Sequence, residues 1–284
     1  MEILDPERVR SYFPPRRRAA HKGDFGKILL LCGSEGYTGA AALAAMGALR
    51  TGAGLVYLGT PRCVYPILAG KLLEPVVFPL PDDGKGYGPE AVAEVRRRMK
   101  NMDALLIGCG IGQGSGAWEI LKTVFLEFEK PVILDADGIN LLSWHIDFLR
   151  GRTGVTILTP HAGEFARLTG RFPKDRVREA QAFAREYNCI LVLKGAGTVI
   201  TDGNRVFENP TGNPGMAVGG SGDILAGMTV SLVGQGIPPL EAAACAAFLH
   251  GAAGDLCAQE LGEYAMLPSD LLNALPRLLK KGGI

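Results

Sequence analysis

The sequence predicts an α/β fold, a mainly parallel central sheet covered by helices on both faces, and two observations carry that prediction. Short, wholly apolar runs alternate with longer amphipathic or alanine-rich segments from residue 27 to residue 193. Strands buried on both faces and joined by crossover helices have this rhythm. Glycine and polar clusters also follow the strand-like runs directly, at 33–39, 108–116, 135–140, 159–164 and 194–198. Ligands in open α/β sheets sit beyond the carboxyl ends of the strands, so these clusters should converge on one edge.

Taken in order, residues 1–25 hold a short helix candidate and the polar turn His21-Lys22-Gly23-Asp24-Phe25-Gly26. Residues 1–20 read as an N-terminal arm, and the whole chain, 1–284, as one domain with no linker or internal repeat. Strands are expected at Lys27–Cys32, Leu55–Gly59, Pro75–Phe78, Ala104–Ile107, Pro131–Leu134 and Val155–Leu158. Helices are expected at 39–51, 64–71, 89–100, 117–128, 138–143, 163–169 and 174–187. The rhythm then changes. Ile190–Leu193, Thr198–Thr201 and Arg205–Glu208 are close together, and Asp202-Gly203-Asn204 between the last two is a hairpin signal. Helical spacing returns at 222–235, 239–261 and 268–280.

Composition excludes several classes. The net charge is +1 over 284 residues, so nothing points to a nucleic-acid or membrane surface. The basic run Arg16-Arg17-Arg18 reads as part of a solvated arm. No apolar run reaches the roughly 18 residues of a membrane span, and the charged start at Glu2 has no signal-peptide character. The six cysteines have no metal spacing and read as buried thiols of a cytoplasmic protein. Glycine is abundant, 39 residues, and concentrated in short loops between apolar runs, as expected of tight turns around a ligand.

The densest of these loops is Asn213-Pro214-Gly215-Met216-Ala217-Val218-Gly219-Gly220-Ser221-Gly222-Asp223, followed at once by helical spacing. A glycine-rich loop feeding a helix start gathers anions, because free N–H groups and the positive dipole end point together. One carboxylate, Asp223, stands in that mouth. Phosphate and a single carboxylate in one place suggest phosphoryl transfer to a hydroxyl. The simpler reading is a long turn with Ser221 as N-cap and Asp223 as dipole partner. The loop is no Walker A motif, since Ser221 stands where Lys belongs. Gly108-Cys109-Gly110 has Gln113 where a dinucleotide fingerprint needs its third glycine. A helix start should also lower the pKa of Asp223 and make it a weak base. Phosphoryl transfer tolerates a weak, well-placed base, because its transition state is loose.

Other clusters remain open on residues alone. Lys194, at a strand end beside Gly195, Ala196, Gly197 and Thr198, either reaches a phosphate or is a solvated turn residue. His161 either binds ligand or starts a helix stabilised by Glu164. Asp135 and Asp137 either hold Mg²⁺ through water or cap a helix. His250-Gly251-Ala252-Ala253-Gly254-Asp255 either allows close helix packing or faces a ligand.

In this order the segments resemble one family. His21-Lys22-Gly23-x-x-Gly26, Leu134-Asp135-Ala136-Asp137-Gly138-x-Asn140, Thr159-Pro160-His161-x-Gly163-Glu164, Lys194-Gly195-x-x-Thr198, the 213–223 loop and His250-Gly251-x-Ala253-Gly254-Asp255 look like the ADP-dependent NAD(P)H-hydrate dehydratases. The resemblance spans about residues 20 to 279 and implies a ribokinase-like fold. It also implies the reaction, in which ADP (or ATP in some relatives) phosphorylates the hydroxyl of (S)-NADHX or NADPHX. Phosphate then leaves and NADH or NADPH is restored, with AMP released. By that resemblance Asp223 takes the hydroxyl proton, and Gly219, Gly220, Ser221 and Gly222 hold the transferred phosphate. Lys194, Gly195, Ala196, Gly197, Thr198 and Gly222 hold the nucleotide. Ala40, Gly110, Gly112, His161 and Asp223 meet the hydrated cofactor. Mg²⁺, a homotetramer and a functional link to an NAD(P)HX epimerase are implied as well. A kinase of the same fold, acting on a sugar, pyrimidine or thiazole hydroxyl, is the alternative. A nucleotide sensor without catalysis is a third reading, which an intact Asp223 disfavours.

Overall fold

The computed structural model describes residues 1–282, with side chains through residue 280. Its strands are β1 (Glu2–Ile3), β2 (Lys27–Leu31), β3 (Leu55–Pro61), β4 (Val76–Leu80), β5 (Ala104–Ile107), β6 (Val132–Leu134), β7 (Thr156–Leu158), β8 (Ile190–Leu193), β9 (Thr198–Thr201) and β10 (Val206–Asn209). The helices are α1 (Pro6–Ser11), α2 (Thr38–Arg50), α3 (Tyr65–Lys71), α4 (Ala91–Met99), α5 (Ser115–Glu127), α6 (Asp137–Ser143), α7 (Ala162–Thr169), α8 (Arg176–Glu186), α9 (Ser221–Gly234), α10 (Pro239–Leu261) and α11 (Pro268–Gly282). All ten strands join one sheet in the order β1-β10-β9-β8-β7-β6-β5-β2-β3-β4. Only β9 runs antiparallel to its neighbours. The expected α/β architecture is therefore the one observed.

Alternation along the strands builds two cores. In β2, Ile28 and Leu30 join one face, which α2, α9, α10 and α11 cover, while Leu29 and Leu31 join the other, which α4 to α8 cover. Because both faces are buried, the strands read as unbroken apolar runs. Helices α2 and α9 meet backbone to backbone. A Cβ on Gly227 would lie 2.0 Å from the carbonyl oxygen of Ala44, and one on Gly47 would lie 2.7 Å from that of Ile224. Small residues at these positions set the close crossing, which fixes α9 and its first turn against the sheet.

Two expectations change. The segment expected as an arm is partly built into the fold. β1 pairs in parallel with β10, and Leu4 and Val9 are each 1% exposed. A two-residue strand has no periodicity to read. Arg16 is likewise anchored, donating to Gly52 O at 2.6 Å and Gln235 Oε1 at 2.9 Å. Among the cysteines, Cys63 is exposed and the other five are buried; Cys63 lies in the short connection between β3 and α3, outside any apolar strand.

Candidate active site

The strand-end clusters do converge. Gly33 N donates to Cys109 O at 2.9 Å, linking the ends of β2 and β5. Gly112 N donates to Asp137 Oδ2 at 3.0 Å, linking β5 to β6. Lys194 N donates to Pro160 O at 2.8 Å, linking β8 to β7. A buried Tyr87 braces the same edge, its hydroxyl 2.9 Å from Cys32 O and 2.8 Å from Gly59 O.

At the centre lies a charged cluster. Lys194 is not a solvated turn residue. Its ammonium is 2.8 Å from Asp135 Oδ1 and 3.7 Å from Glu164 Oε2, all three side chains being largely buried. Burial alone would drive the Lys194 pKa down, but Asp135 and Glu164 outweigh it and hold the pKa above its ordinary value. Thr159 Oγ1 donates to the same Asp135 oxygen at 2.7 Å. The Asp135 side chain does not cap α6: the N-cap is Ala136, whose φ of 47° is strained for a residue with a Cβ. That strained step separates Asp135, which faces Lys194, from Asp137, which ties down Gly112 and lies 3.2 Å from Gln113 Nε2.

The 213–223 loop delivers the remaining carboxylate. Gly220, not Ser221, is the N-cap of α9. Its φ of 103° suits glycine, and a Cβ there would lie 2.6 Å from Leu43 Cδ1. Ser221 starts the helix and turns its hydroxyl to His250 Nε2 at 3.2 Å. A Cβ on Gly222 would lie 3.2 Å from Lys194 Nζ and 3.6 Å from Asp135 Oδ2, so this backbone approaches the charged cluster directly. One residue on, Asp223, Asp135 and Cys109 offer ligand atoms all within 4.8 Å of one another.

The pKa of Asp223 is the reverse of the expectation. Burial first, and the neighbouring Asp135 second, raise it from 3.8 to about 6. The helix start does not prevail, because desolvation and a like charge act at closer range than the dipole. A carboxylate so tuned can accept a proton near neutral pH. His250 moves the other way: burial pushes it down to about 4, so it is a neutral acceptor or donor beside Ser221. Cys109 remains a thiol, its pKa raised by its contact with Cys32 and by burial.

A cavity of about 690 Å³ opens beside Gly222. Its wall includes Lys194, Gly195, Ala196, Gly197, Thr198, Ser221 and Gly222, together with His161 and the strand-to-loop segment 209–214. The size suits a nucleotide-scale ligand. Helix α10 supports this wall from behind. Asp255 accepts from Gly212 N at 2.9 Å and Asn213 Nδ2 at 3.0 Å, and a Cβ on Gly251 would strike the Thr211 backbone at 2.7 Å. The His250–Asp255 stretch packs closely, as one of the two readings has it, and His250 also lines the cavity. His161 heads α7 in a reciprocal cap with Glu164. Its Nδ1 accepts from Gly163 N at 3.0 Å, and its own N–H donates to Glu164 Oε2 at 2.8 Å. The ring stands at the cavity mouth, 54% exposed.

Ala40, Gly110 and Gly112 are not on that wall, and Gly110 follows Cys109, which clusters with Asp223. The Cβ of Ala40 would be 3.2 Å from one built on Gly110, and Ser34 Oγ donates to Gly110 O at 2.8 Å. Gly219 and Gly220 are in the loop but do not line the cavity. The residues anticipated for the site thus fall into two groups, one on the cavity wall and one off it. Residue-level reading missed the burial of Glu164, the Ser221–His250 contact and the Asp135–Asp223 proximity. The His161-x-x-Glu164 spacing was the available signal for the first.

The sequence model of the NAD(P)H-hydrate dehydratase family matches residues 28–277. The chain belongs to that family. It is 44% identical over 285 aligned residues to a bifunctional NAD(P)H-hydrate repair enzyme of Moorella thermoacetica, covering 98% of this chain and 54% of that one. The chain therefore spans about half the length of the bifunctional relatives it matches. It is 33% identical to an ADP-dependent (S)-NAD(P)H-hydrate dehydratase of Cenarchaeum symbiosum, covering 98% of this chain and 96% of that one. The structure of the ADP/ATP-dependent NAD(P)H-hydrate dehydratase of Bacillus subtilis, co-crystallised with ATP and Mg²⁺, superimposes with a TM-score of 0.85 at 32% identity, covering 99% and 98% of the two chains. A ribokinase of Arabidopsis thaliana shares the fold alone, at TM-score 0.54 and 17% identity. The family's fold is thus ribokinase-like.

Proposed function

We propose that this chain dehydrates the S-epimer of hydrated NADH or NADPH at the expense of ADP, releasing AMP and phosphate. The observation that carries the reading is Asp223: a part-buried carboxylate with a pKa of about 6, one residue from the wall of a nucleotide-sized cavity and clustered with Asp135 and Cys109. Membership in the family supports the choice of substrate, and the names of the Cenarchaeum and Bacillus relatives support the nucleotide.

On this reading the nucleotide occupies the 690 Å³ cavity, with its phosphates toward Gly222 and Lys194. The N–H groups at the start of α9 receive the transferred phosphoryl group. The hydrated ring enters from the side of Ala40, Gly110 and Gly112, with His161 at the mouth. Asp223 accepts the proton as the ring hydroxyl attacks the β-phosphorus, and AMP leaves. The ring nitrogen then expels phosphate, an adjacent ring carbon loses a proton, and the dihydronicotinamide is restored. Lys194, held charged by Asp135 and Glu164, offsets phosphate charge.

Three carboxylates around one ammonium leave this pocket net negative, which fits a divalent cation. Mg²⁺ held by Asp135 and Asp223, directly or through water, would neutralise phosphate charge; the Cys109 thiol is not one of its ligands. The unpaired cysteines fit a reducing, cytoplasmic setting, and among the described residues no helix is long and apolar enough to cross a membrane. An NAD(P)HX epimerase is the natural functional partner, as the bifunctional relatives suggest. A homotetramer is part of the same reading.

The test is direct. Enzyme, Mg²⁺ and NADHX are mixed in parallel with ADP and with ATP, and recovery of dihydronicotinamide absorbance is followed. Recovery with ADP is expected. A stable phosphorylated product without recovery would favour a small-molecule kinase instead.

A further inference from the structure

We propose that a second cavity, at the opposite edge of the sheet, binds a small molecule carrying two or more phosphate charges. The cavity measures about 840 Å³ and is lined by Arg10, Arg16, Arg17 and Arg50, with Phe13 and Ile237 among its apolar walls. It lies where α2 and α9 end. Gln235, the C-cap of α9, is on its wall, twelve residues from Asp223 and so about 18 Å away along the helix.

Charge makes the case. Four arginines line this space against one carboxylate, Asp24. Both oxygens of Asp24 are already engaged, at 2.9 Å with His21 N and 3.2 Å with His21 Nδ1. The carboxyl ends of α2 and α9 contribute about half a negative charge each. An excess of about two positive charges remains, more than the +1 of the whole chain. Arg16 is fully explained as a structural group. It donates to Gly52 O and Gln235 Oε1 and lies 3.9 Å from the centroid of the Phe25 ring. Helix ends account for Arg50 at most, since it closes α2. Arg10, Arg17 and Arg50 have no ion pair or side-chain hydrogen bond among the described residues. Guanidinium groups present planar forks that match phosphate oxygens two at a time. The apolar wall suits the organic part of a phosphorylated metabolite, and the volume falls within the range of small-ligand pockets.

Isothermal titration with inorganic tripolyphosphate at low salt tests the site, using wild type, R17A/R50A and Gly222→Val. The last variant fills the mouth of the catalytic cavity. Wild type and Gly222→Val are expected to share one class of binding that R17A/R50A weakens at least tenfold, while ADP-dependent turnover of R17A/R50A stays within twofold of wild type. Should R17A/R50A fail to fold, R17K/R50K keeps the charge but not the planar fork, and is expected to bind at least threefold more weakly. An isotherm unchanged by the arginine substitutions, or one lost only in Gly222→Val, would overturn the proposal.

Discussion

Asp223→Asn is expected to stabilise the folded protein at neutral pH while removing its activity. Burial and Asp135 raise the pKa of Asp223 from 3.8 to about 6. The folded state therefore binds this proton more tightly than the unfolded chain does. Below the lower value both states are protonated and the group costs nothing. Between the two values the unfolded chain loses its proton first, and stability falls as pH rises. Above about 6 the whole penalty is present. A shift of roughly two units at 1.36 kcal/mol each makes that penalty about 3 kcal/mol. This is a ceiling, since Asp223 is only partly buried. Asn carries no charge at any pH and removes the penalty. For a chain of 284 residues, about 2.1 cal/mol/K of unfolding entropy per residue turns 3 kcal/mol into about 5 °C of Tm. Thermal unfolding without nucleotide, at pH 7.5 and again near pH 3, reads both limits. The Asn variant should melt up to about 5 °C higher at the first and level with wild type at the second. Equal or lower stability at pH 7.5 would refute the claim that this carboxylate is held against a desolvation and like-charge cost.

The pH profile of kcat/KM should fall about tenfold per unit below pH 6 and be flat above it, following loss of the Asp223 base; constant activity through pH 5 would exclude that role. Lys194→Met leaves Asp135 and Glu164 without their cation, so urea unfolding should register a loss of about 3–5 kcal/mol; a neutral effect would mean the ion pairs are incidental. His250→Ala strips the Ser221 hydroxyl of its partner. It should raise the nucleotide KM about threefold to tenfold, the equivalent of one hydrogen bond, and leave the acid limb of the pH profile in place. A shifted limb would make His250 the titrating group instead.

The parallel core was legible because buried strands are continuous apolar runs. Ala104–Ile107 and Ile190–Leu193 have the bounds expected of them, and the Asp202-Gly203-Asn204 turn announced the antiparallel β9–β10 pair. β1 escaped because two residues pairing with a distant strand leave no local pattern. At the site, glycine density marked the 213–223 loop, whose Gly222 does approach the charged cluster, and chain order brought the strand-end clusters together. What sequence could not convey was the balance of forces on Asp223. The helix start is a local feature and easy to read. What overrules it is burial in the assembled fold and Asp135, which follows a strand and lies 88 positions earlier in the chain. The partners of Lys194 were hidden for the same reason: Asp135 and Glu164 meet it only because β6, β7 and β8 are adjacent in the sheet. Arg16 was misjudged in the opposite sense, since a surface arginine gives no local sign that Gly52 and Gln235 will hold it.

The central claim is that Asp223 takes a proton from the hydroxyl of a hydrated nicotinamide as ADP gives up its β-phosphoryl group. β-labelled ADP incubated with wild type and Asp223→Asn, with and without (S)-NADHX, tests it most directly. Wild type should release label as inorganic phosphate, with AMP and NADH formed one for one, only when NADHX is present. The Asn variant should bind ADP and release none. Label released equally by the Asn variant, or retained on a stable product without NADH, would contradict the account.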